Sequence, residues 1–257
     1  MHFTKRDPVA APGFFQCEAA GLRWLGEAVR GVPVAEVLAV TDTSITLPRY
    51  PNRSPSRDDA SEFGRRLAFT HRAGAGHHGA PPPGRRDGFI ATLPLPHLAE
   101  PPASWGEFYA RCRLEPFARA AEAAGSLDPQ AAGDVRAVCE RLRAGDPELT
   151  GSAVPPARLH GDLWSGNVLW TRHGARLIDP AAHGGHPETD LAMLALFGFP
   201  YLDEVRAAYV DTSPLPSGWE ERVGLHQLHP LLVHAVLFGP SYGAQVGQVA
   251  RRYGRGR

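Results

Sequence analysis

Three polar residues between positions 160 and 180 have the types and the order that phosphoryl transfer requires. Asp162 is followed five residues later by Asn167, and Asp179 stands at the end of the next apolar run. One carboxylate can take a hydroxyl proton, while an amide and a second carboxylate can hold Mg²⁺ on the phosphates. Oxygen atoms are the ligands that Mg²⁺ prefers. The order and spacing of these residues therefore predict a kinase that uses ATP and Mg²⁺.

A short strand, a tight loop and a hairpin are expected to position these side chains. Residues 157–160 have a strand-like pattern, the loop that follows contains two glycines, and residues 168–178 have the pattern of a hairpin. Such a hairpin folds Asp179 back beside Asp162 and Asn167. Each residue alone indicates only a turn, because Asp and Asn are common in turns. Together the three residues favour a catalytic site, because they fill the roles of the base and of the metal ligands.

The composition excludes several other classes of protein. Among 257 residues, the 27 basic and 27 acidic side chains balance, so the charge indicates neither a nucleic acid nor a membrane surface as a partner. The three cysteines are widely spaced, which indicates neither a disulfide framework nor a thiolate metal site. No signal peptide is recognisable, and the longest apolar run, residues 191–202, is too short to span a bilayer. These features predict a soluble cytoplasmic protein, and they leave its oligomeric state open.

The amino-terminal part of the sequence predicts a small mixed region followed by helices. A helix is expected over 14–29 and strands over 34–40 and 44–47. A proline-rich connector then precedes a helix over 58–71 with the stripe Phe63, Leu67 and Thr70. Further helices are predicted over residues 105–124, 129–142, 188–197, 203–210, 219–238 and 242–253. Three tryptophans on amphipathic stretches are assigned to the core, namely Trp105, Trp170 and Trp219.

A glycine-rich segment over 74–79 matches the pattern G-x-G-x-x-G, but its context does not fit a phosphate-binding loop. It follows a helix instead of a strand, and no lysine comes after it. The pattern therefore predicts a loop that ends a helix. His71, His77 and His78 are expected to be exposed there and not to bind a metal, because they lack a defined ligand spacing.

Two stretches closely resemble the fructosamine kinase (ketosamine 3-kinase) family. They are Leu159 to Trp170, which reads LHGDLWSGNVLW, and Leu177 to Ala192, which reads LIDPAAHGGHPETDLA. Aminoglycoside and choline kinases share the His-Gly-Asp and the later Asp. Trp164, and Asp-Pro-Ala in place of Asp-Phe-Gly, are similar to the fructosamine kinase branch. The likeness covers nearly the whole chain, through Gly88-Phe89-Ile90 and on to residues 228–234.

The resemblance implies a two-lobed, protein-kinase-like α+β fold with ATP between the lobes. Residues 1–50 would be a partial small, ATP-binding lobe, and residues 51–257 a mainly helical lobe with the catalytic loop and the metal site. Asp162 would be the catalytic base, and Asn167 and Asp179 would hold Mg²⁺. The segment with Lys5 resembles the end of the third strand of the small lobe. Lys5 would bind the ATP phosphates, with Glu18 as its ion-pair partner.

One feature of this fold is missing from the amino-terminal end. Only four residues precede Lys5, so the two strands and the Gly-rich turn that cover the phosphates are absent. We expect Lys5 to lack the strands that hold it in register and to be mobile. We also expect weak ATP binding and low turnover from this chain, and a natural start roughly 30 to 40 residues upstream.

The resemblance also implies a substrate and further site residues. The γ-phosphoryl group of ATP would be transferred to the C3 hydroxyl of a ketosamine, either a small molecule or a protein-bound sugar adduct. Trp164 is expected to stack on this acceptor, and His183 and Glu188 are weaker candidates for contacts with it. His160 would brace the catalytic loop, while Asp190 would accept backbone N–H groups of that loop.

Three other functions remain open at this point. The chain could be an aminoglycoside- or choline-kinase-like phosphotransferase, or a nucleotide-binding pseudokinase, since the Gly-rich turn is absent. It could also be a metal-dependent hydrolase, because a set of imidazoles and carboxylates could surround one or two transition metals. That set comprises His160, Asp162, His183, His186, Glu188 and Asp190. The hydrolase would leave Lys5 and Asn167 without a role.

Overall fold

A computed structural model describes residues 1–86 and 88–256 of the chain. Contacts between residues group the chain into two compact units. Unit 1 comprises residues 1–100 and 155–215, and unit 2 comprises residues 101–154 and 216–257. The predicted lobes, 1–50 and 51–257, stay a prediction.

Unit 1 begins with a three-stranded antiparallel sheet and one helix. Strands β1 (His2–Arg6), β2 (Ala39–Thr41) and β3 (Ser44–Pro48) lie in the order β1-β3-β2. Helix α1 (Phe14–Gly26) contributes its apolar side to the core of this region. That core is formed by Phe15, Ala19, Leu22, Ala35, Ile45 and Leu47. Helix α1 therefore ends three residues before the predicted end.

The predicted strand over 34–40 is wrong except for its last residues. Only Ala39–Thr41 forms a strand, whereas Val34 makes an isolated bridge to Leu177. The backbone N–H of Ala35 also donates to Leu177 O at 2.9 Å. Residues 34 and 35 therefore use their backbone groups on a different partner and cannot continue the sheet with β3.

Three antiparallel strand pairs complete the sheets of unit 1. They are β4 (Gly88–Ile90) with β5 (Leu93–Leu95), β6 (Ala157–Leu159) with β9 (His183–Gly185), and β7 (Val168–Thr171) with β8 (Gly174–Leu177). The last pair is the predicted hairpin. Its turn contains only Arg172 and His173, because Thr171 pairs with Gly174.

Three helices contribute to the larger core of unit 1 together with β7 and β8. They are α2 (Arg57–Arg72), α7 (Glu188–Leu196) and α8 (Leu202–Thr212). A capping box of Ser56 and Asp59 begins α2 and satisfies backbone donors at its first turn. The predicted stripe of Phe63, Leu67 and Thr70 is buried. A helical period in the sequence thus identified the buried side of α2 correctly.

Unit 2 is helical. It contains α3 (Trp105–Phe108), a π-helical segment (Tyr109–Leu114), α4 (Glu115–Ala123), α5 (Pro129–Arg143), α6 (Pro147–Thr150), α9 (Trp219–Phe238) and α10 (Pro240–Gly254). The helix predicted over 105–124 is therefore interrupted by a π-helical segment. Trp105 and Trp170 are buried, as predicted, whereas Trp219 is only half-buried. Within the described part of the chain, no helix combines the length and the apolar character needed to span a membrane.

Candidate active site

A cavity of about 260 Å³ in unit 1 collects most of the residues that the sequence singled out. Its wall includes the predicted base, the two predicted Mg²⁺ ligands, the predicted ATP-binding pair and the exposed tryptophan. These are Lys5, Glu18, Asp162, Trp164, Asn167 and Asp179. Residues more than 150 positions apart in the chain thus share one site.

The loop between β6 and β7 carries Asp162 and Asn167. Gly161 has a φ of 82°, and a Cβ at this position would meet the backbone oxygen of Ala181; glycine therefore suits both the conformation and the space. The Nδ2 of Asn167 donates to Asp162 Oδ2 at 3.0 Å and to the Asp162 backbone oxygen at 2.8 Å. These bonds fix the Asp162 carboxylate. They leave the amide oxygen of Asn167 as the atom of this side chain that could bind a metal ion.

Asp179 lies two residues after the end of β8 and comes back beside this loop. The backbone N–H of Ile178 donates to Asn167 O at 3.1 Å, and Asn167 Nδ2 lies 3.5 Å from Asp179 O. Asp179 has a φ of 51°, a left-handed conformation that Asp adopts more readily than most residues. Its side chain is 41 % exposed. The hairpin thus brings the three oxygen-bearing side chains together, as the sequence predicted.

Lys5 forms ion pairs with two carboxylates of the cavity. Its Nζ lies 3.0 Å from Glu18 Oε2 and 3.4 Å from Asp179 Oδ1. The whole of β1 pairs with β3, so Lys5 stands opposite Ile45. Strand β3 therefore holds Lys5 in register on one side, and β1 is an edge strand of the sheet that the structure describes. The expected mobility of Lys5 stays a prediction.

Burial and charge change the acidity of the Lys5–Glu18 pair. Burial raises the pKa of the Glu18 carboxyl to about 7, against the opposing effect of the Lys5 charge. Burial lowers the pKa of the Lys5 ammonium, but the charges of Glu18 and Asp179 outweigh it, so this pKa lies above its ordinary value. Lys5 is therefore a cation at neutral pH, next to an acid that titrates near pH 7.

A buried polar cluster lies behind the catalytic loop. Asp190 accepts the backbone N–H of His160 at 2.8 Å and that of Gly161 at 2.9 Å. The His160 ring accepts the N–H of Asp162 on Nδ1 and donates from Nε2 to Ile178 O at 2.9 Å. His160 and Asp190 are both buried. They thus make the contacts that a structural role in this loop requires.

The same cluster contains a residue that the sequence misplaced. His71 is buried at the end of α2, where Nε2 lies 3.1 Å from Asp190 Oδ2 and Nδ1 lies 2.8 Å from the hydroxyl of Tyr209. The expectation of an exposed His71 is wrong, because its ring is buried and bonds to Asp190 and Tyr209. Burial raises the pKa of Asp190, but the hydrogen bond and charge of His71 outweigh this effect, so the pKa lies below its ordinary value.

Trp164 combines a large apolar side chain with unusual exposure. It is 39 % exposed and lines the cavity beside Asp162. A Cβ at Gly166 would overlap the six-membered ring of Trp164, so glycine at 166 allows the indole to lie against the backbone. The loop therefore holds an aromatic surface next to the predicted base.

Two of the predicted substrate contacts do not lie on the cavity wall. His183 belongs to β9, is 2 % exposed and donates from Nδ1 to Ala181 O at 2.8 Å. Glu188 begins α7 and is also 2 % exposed. Strand pairing and the helix start thus place both side chains in the interior, although their neighbours Ala181 and Ala182 line the cavity.

Sequence reasoning missed several other residues of the wall. They are contributed by the first turn of α1 and by the segment from 82 to 97, and include Phe14, Pro82, Arg85, Phe89 and His97. Nothing in their local spacing indicates a site, because the fold brings them to the catalytic loop from a distance of many residues. The resemblance of Gly88-Phe89-Ile90 to a known family was the one available signal.

Comparison with known proteins gives a consistent assignment. The fructosamine kinase family model matches residues 1–254. A proposed ketoamine kinase from Enterococcus faecium is 34 % identical over 254 residues, which cover 98 % of this chain and 87 % of the relative. A crystal structure of a proposed fructosamine-3-kinase from Thermobifida fusca superposes with a TM-score of 0.87 at 48 % identity, over 98 % of this chain and 85 % of that chain.

A more distant structure shows the wider fold class. An aminoglycoside phosphotransferase in a ternary complex with ADP and hygromycin B has a TM-score of 0.58 at 14 % identity, over 93 % of this chain and 84 % of that chain. This likeness shows the protein-kinase-like α+β fold alone. Together with the match over residues 1–254, these findings show that the chain belongs to the fructosamine kinase family.

Proposed function

We propose that this protein transfers the γ-phosphoryl group of ATP to the C3 hydroxyl of a ketosamine. One observation carries the proposal: Lys5, Asp162, Asn167 and Asp179 line a single cavity together with Trp164. This set supplies a base, oxygen ligands, a cation for phosphates and an aromatic surface for the acceptor. Membership in the fructosamine kinase family supports the ketosamine as the acceptor.

Asp162 is the proposed general base. Asn167 fixes one of its carboxylate oxygens through the 3.0 Å hydrogen bond, so the carboxylate keeps a constant orientation towards the cavity. A positioned carboxylate within hydrogen-bond reach of the acceptor hydroxyl takes the proton as the oxygen attacks phosphorus. Trp164 packs against the sugar or the amine substituent and keeps the hydroxyl in place.

Asn167 and Asp179 fit a bound Mg²⁺. The amide oxygen of Asn167 and the carboxylate of Asp179 are hard oxygen donors on one wall, and the Asn167 amide nitrogen is already used by Asp162. When bound, Mg²⁺ neutralises charge on the phosphate oxygens during transfer. The wall therefore offers the donor set that such an ion needs.

Lys5 and Glu18 are the proposed ATP anchor. Lys5 is a compact ammonium in an edge strand, and Glu18 holds it over the cavity through the 3.0 Å ion pair. The phosphates of ATP then meet a positive charge whose position is fixed by α1 and β1.

The alternatives are less well supported by the geometry. A metal-dependent hydrolase loses two of its six candidate ligands, because hydrogen bonds occupy both ring nitrogens of His160 and both oxygens of Asp190. A pseudokinase is disfavoured because the proposed base and both proposed ligands stand in the cavity. An aminoglycoside- or choline-kinase-like activity shares the same phosphate chemistry and differs only in its acceptor.

A coupled ADP-release assay tests the proposal. The acceptors are fructosyl-lysine, ribulosyl-lysine, an aminoglycoside and choline, each with and without Mg²⁺. The proposal expects Mg²⁺-dependent ADP release with a ketosamine and none above background with the other two. Release with the aminoglycoside or choline and not with either ketosamine would contradict it.

A further inference from the structure

Arg85 is a cation on the cavity wall that the catalytic roles above do not use. Its guanidinium lies against Gly13, where a Cβ would be 2.7 Å from Nη2. The Nε of Arg85 is buried and has no hydrogen-bond partner among the residues that the structure describes. A buried guanidinium N–H without an acceptor is costly. Because Arg85 also lines the cavity, it offers a positive charge to a ligand that binds there.

The surroundings of Arg85 add to the positive charge. Gly13 stands immediately before α1, where the helix dipole is positive. The first turn of α1, residues 14–17, contains no acidic residue. A guanidinium at this end of a helix repels the dipole unless an anion lies between them. An anion bound in the cavity beside Arg85 would relieve this repulsion.

Arg85 lies beside a different part of α1 than the proposed ATP anchor does. Lys5 pairs with Glu18, which lies five residues after Gly13, or about 7.5 Å farther along the helix axis at 1.5 Å per residue. The Phe14 ring lies next to the Lys5 ammonium, 5.8 Å from its centroid, and packs edge-on against Phe89. Phe14 and Phe89 therefore form an aromatic surface of the cavity beside Lys5.

We propose that Arg85 binds a carboxylate on the amine half of the acceptor, so that the preferred substrate is the ketosamine of an α-amino acid. This inference rests on the proposed function. In such an acceptor the carboxylate lies only a few bonds beyond the reactive hydroxyl, on the side away from ATP. The planar guanidinium matches a carboxylate with two parallel hydrogen bonds.

Matched acceptors and variants test this proposal. The assay compares kcat/KM for fructosyl-glycine with that for fructosyl-glycinamide, which replaces the carboxylate by a neutral amide. The wild-type protein is expected to prefer the carboxylate roughly 10- to 100-fold, the value of one or two hydrogen bonds to a charged group. Arg85→Met should remove this preference, and Arg85→Lys should retain part of it.

Arg86→Met is the matched control, because Arg86 is an exposed arginine next to Arg85. It should leave the preference unchanged. The KM for ATP should change less than twofold in all three variants. Circular dichroism and thermal melting check that each variant is folded.

Three outcomes would overturn the proposal. Equal use of both acceptors by the wild-type protein would show that no carboxylate is recognised. An equal loss on both acceptors in Arg85→Met, with a higher KM for ATP, would place Arg85 on the phosphates of ATP. A higher kcat/KM for a fructosyl-glycinamide that already carries a phosphate on its sugar would mean that Arg85 binds an anion on the sugar half of the acceptor. If no ketosamine is phosphorylated at all, the proposed function itself fails.

Discussion

Asp162 and Asp190 lie at the same loop but in opposite surroundings. Asp190 is 1 % exposed, and its two oxygens accept two backbone N–H groups and the His71 ring. Asp162 is half-buried, faces the cavity and has one oxygen fixed by Asn167. A carboxylate with all its oxygens bound inside the protein can hold a loop but cannot exchange a proton with a ligand. A carboxylate at this loop can therefore react only where the cavity reaches it.

Replacing Asp162 is expected to affect catalysis more than any other change. Asp162→Asn should lower kcat by roughly 10²- to 10⁴-fold, because general base catalysis contributes this much. The melting temperature should stay within about 2 °C of wild type, since the side chain is half-buried at a cavity. Steady-state kinetics and thermal melting measure both quantities. A kcat within threefold of wild type would rule out Asp162 as the base.

For Asp190 we expect a large effect on stability instead. Asp190→Asn removes the charge from a buried acceptor of three hydrogen bonds and should lower the free energy of unfolding by about 3 kcal/mol. Urea unfolding measures this change, with Asp58→Asn, an exposed position in α2, as the control. Equal stability of the two variants would mean that Asp190 does not hold the loop.

Two further variants test metal binding separately from catalysis. Asn167→Ala and Asp179→Ala should each weaken Mg²⁺-dependent ATP binding by roughly tenfold, because each removes an oxygen ligand from an ion with strict geometry. Titration calorimetry at several Mg²⁺ concentrations measures the affinity. Unchanged affinity for ATP in both variants at every Mg²⁺ concentration would exclude these residues as ligands.

Glu18 is expected to make the stability of the protein depend on pH. The folded-state pKa of Glu18 is about 7, above the ordinary value of 4.5, so the folded state binds this proton more tightly than the unfolded state does. The free energy of unfolding of wild type should therefore fall relative to Glu18→Gln as pH rises from about 4.5 to about 7, and level off above. The expected change is on the order of 3 kcal/mol, at about 1.4 kcal/mol per pKa unit. A stability difference that is constant between pH 5 and pH 8 would contradict the raised pKa.

The sequence predicted the catalytic hairpin well because its signals are local. Two short apolar runs, a turn and fixed spacing are enough to bring Asp179 beside Asp162 and Asn167. The buried stripe of α2 was equally readable from its helical period. These features need no information about distant parts of the chain.

Prediction from the sequence failed where segments that are far apart in the chain meet. The backbone of residues 34 and 35 pairs with Leu177 instead of extending a strand, and His71 is drawn into the interior by Asp190 and Tyr209. Arg85 reaches the cavity only because the fold places its loop against Gly13. No local pattern encodes such contacts, because the partners are far apart in the chain.

The proposed reaction is phosphorylation of a ketosamine at C3 with Asp162 as the base. The most direct test is ³¹P–¹H correlation NMR of the product formed from ATP, Mg²⁺ and a ketosamine, with wild type and Asp162→Asn run in parallel. We expect a single phosphate coupled to the proton on C3 in the wild-type reaction and a strongly reduced amount with the variant. A phosphate on another carbon, or equal product from both proteins, would contradict the account.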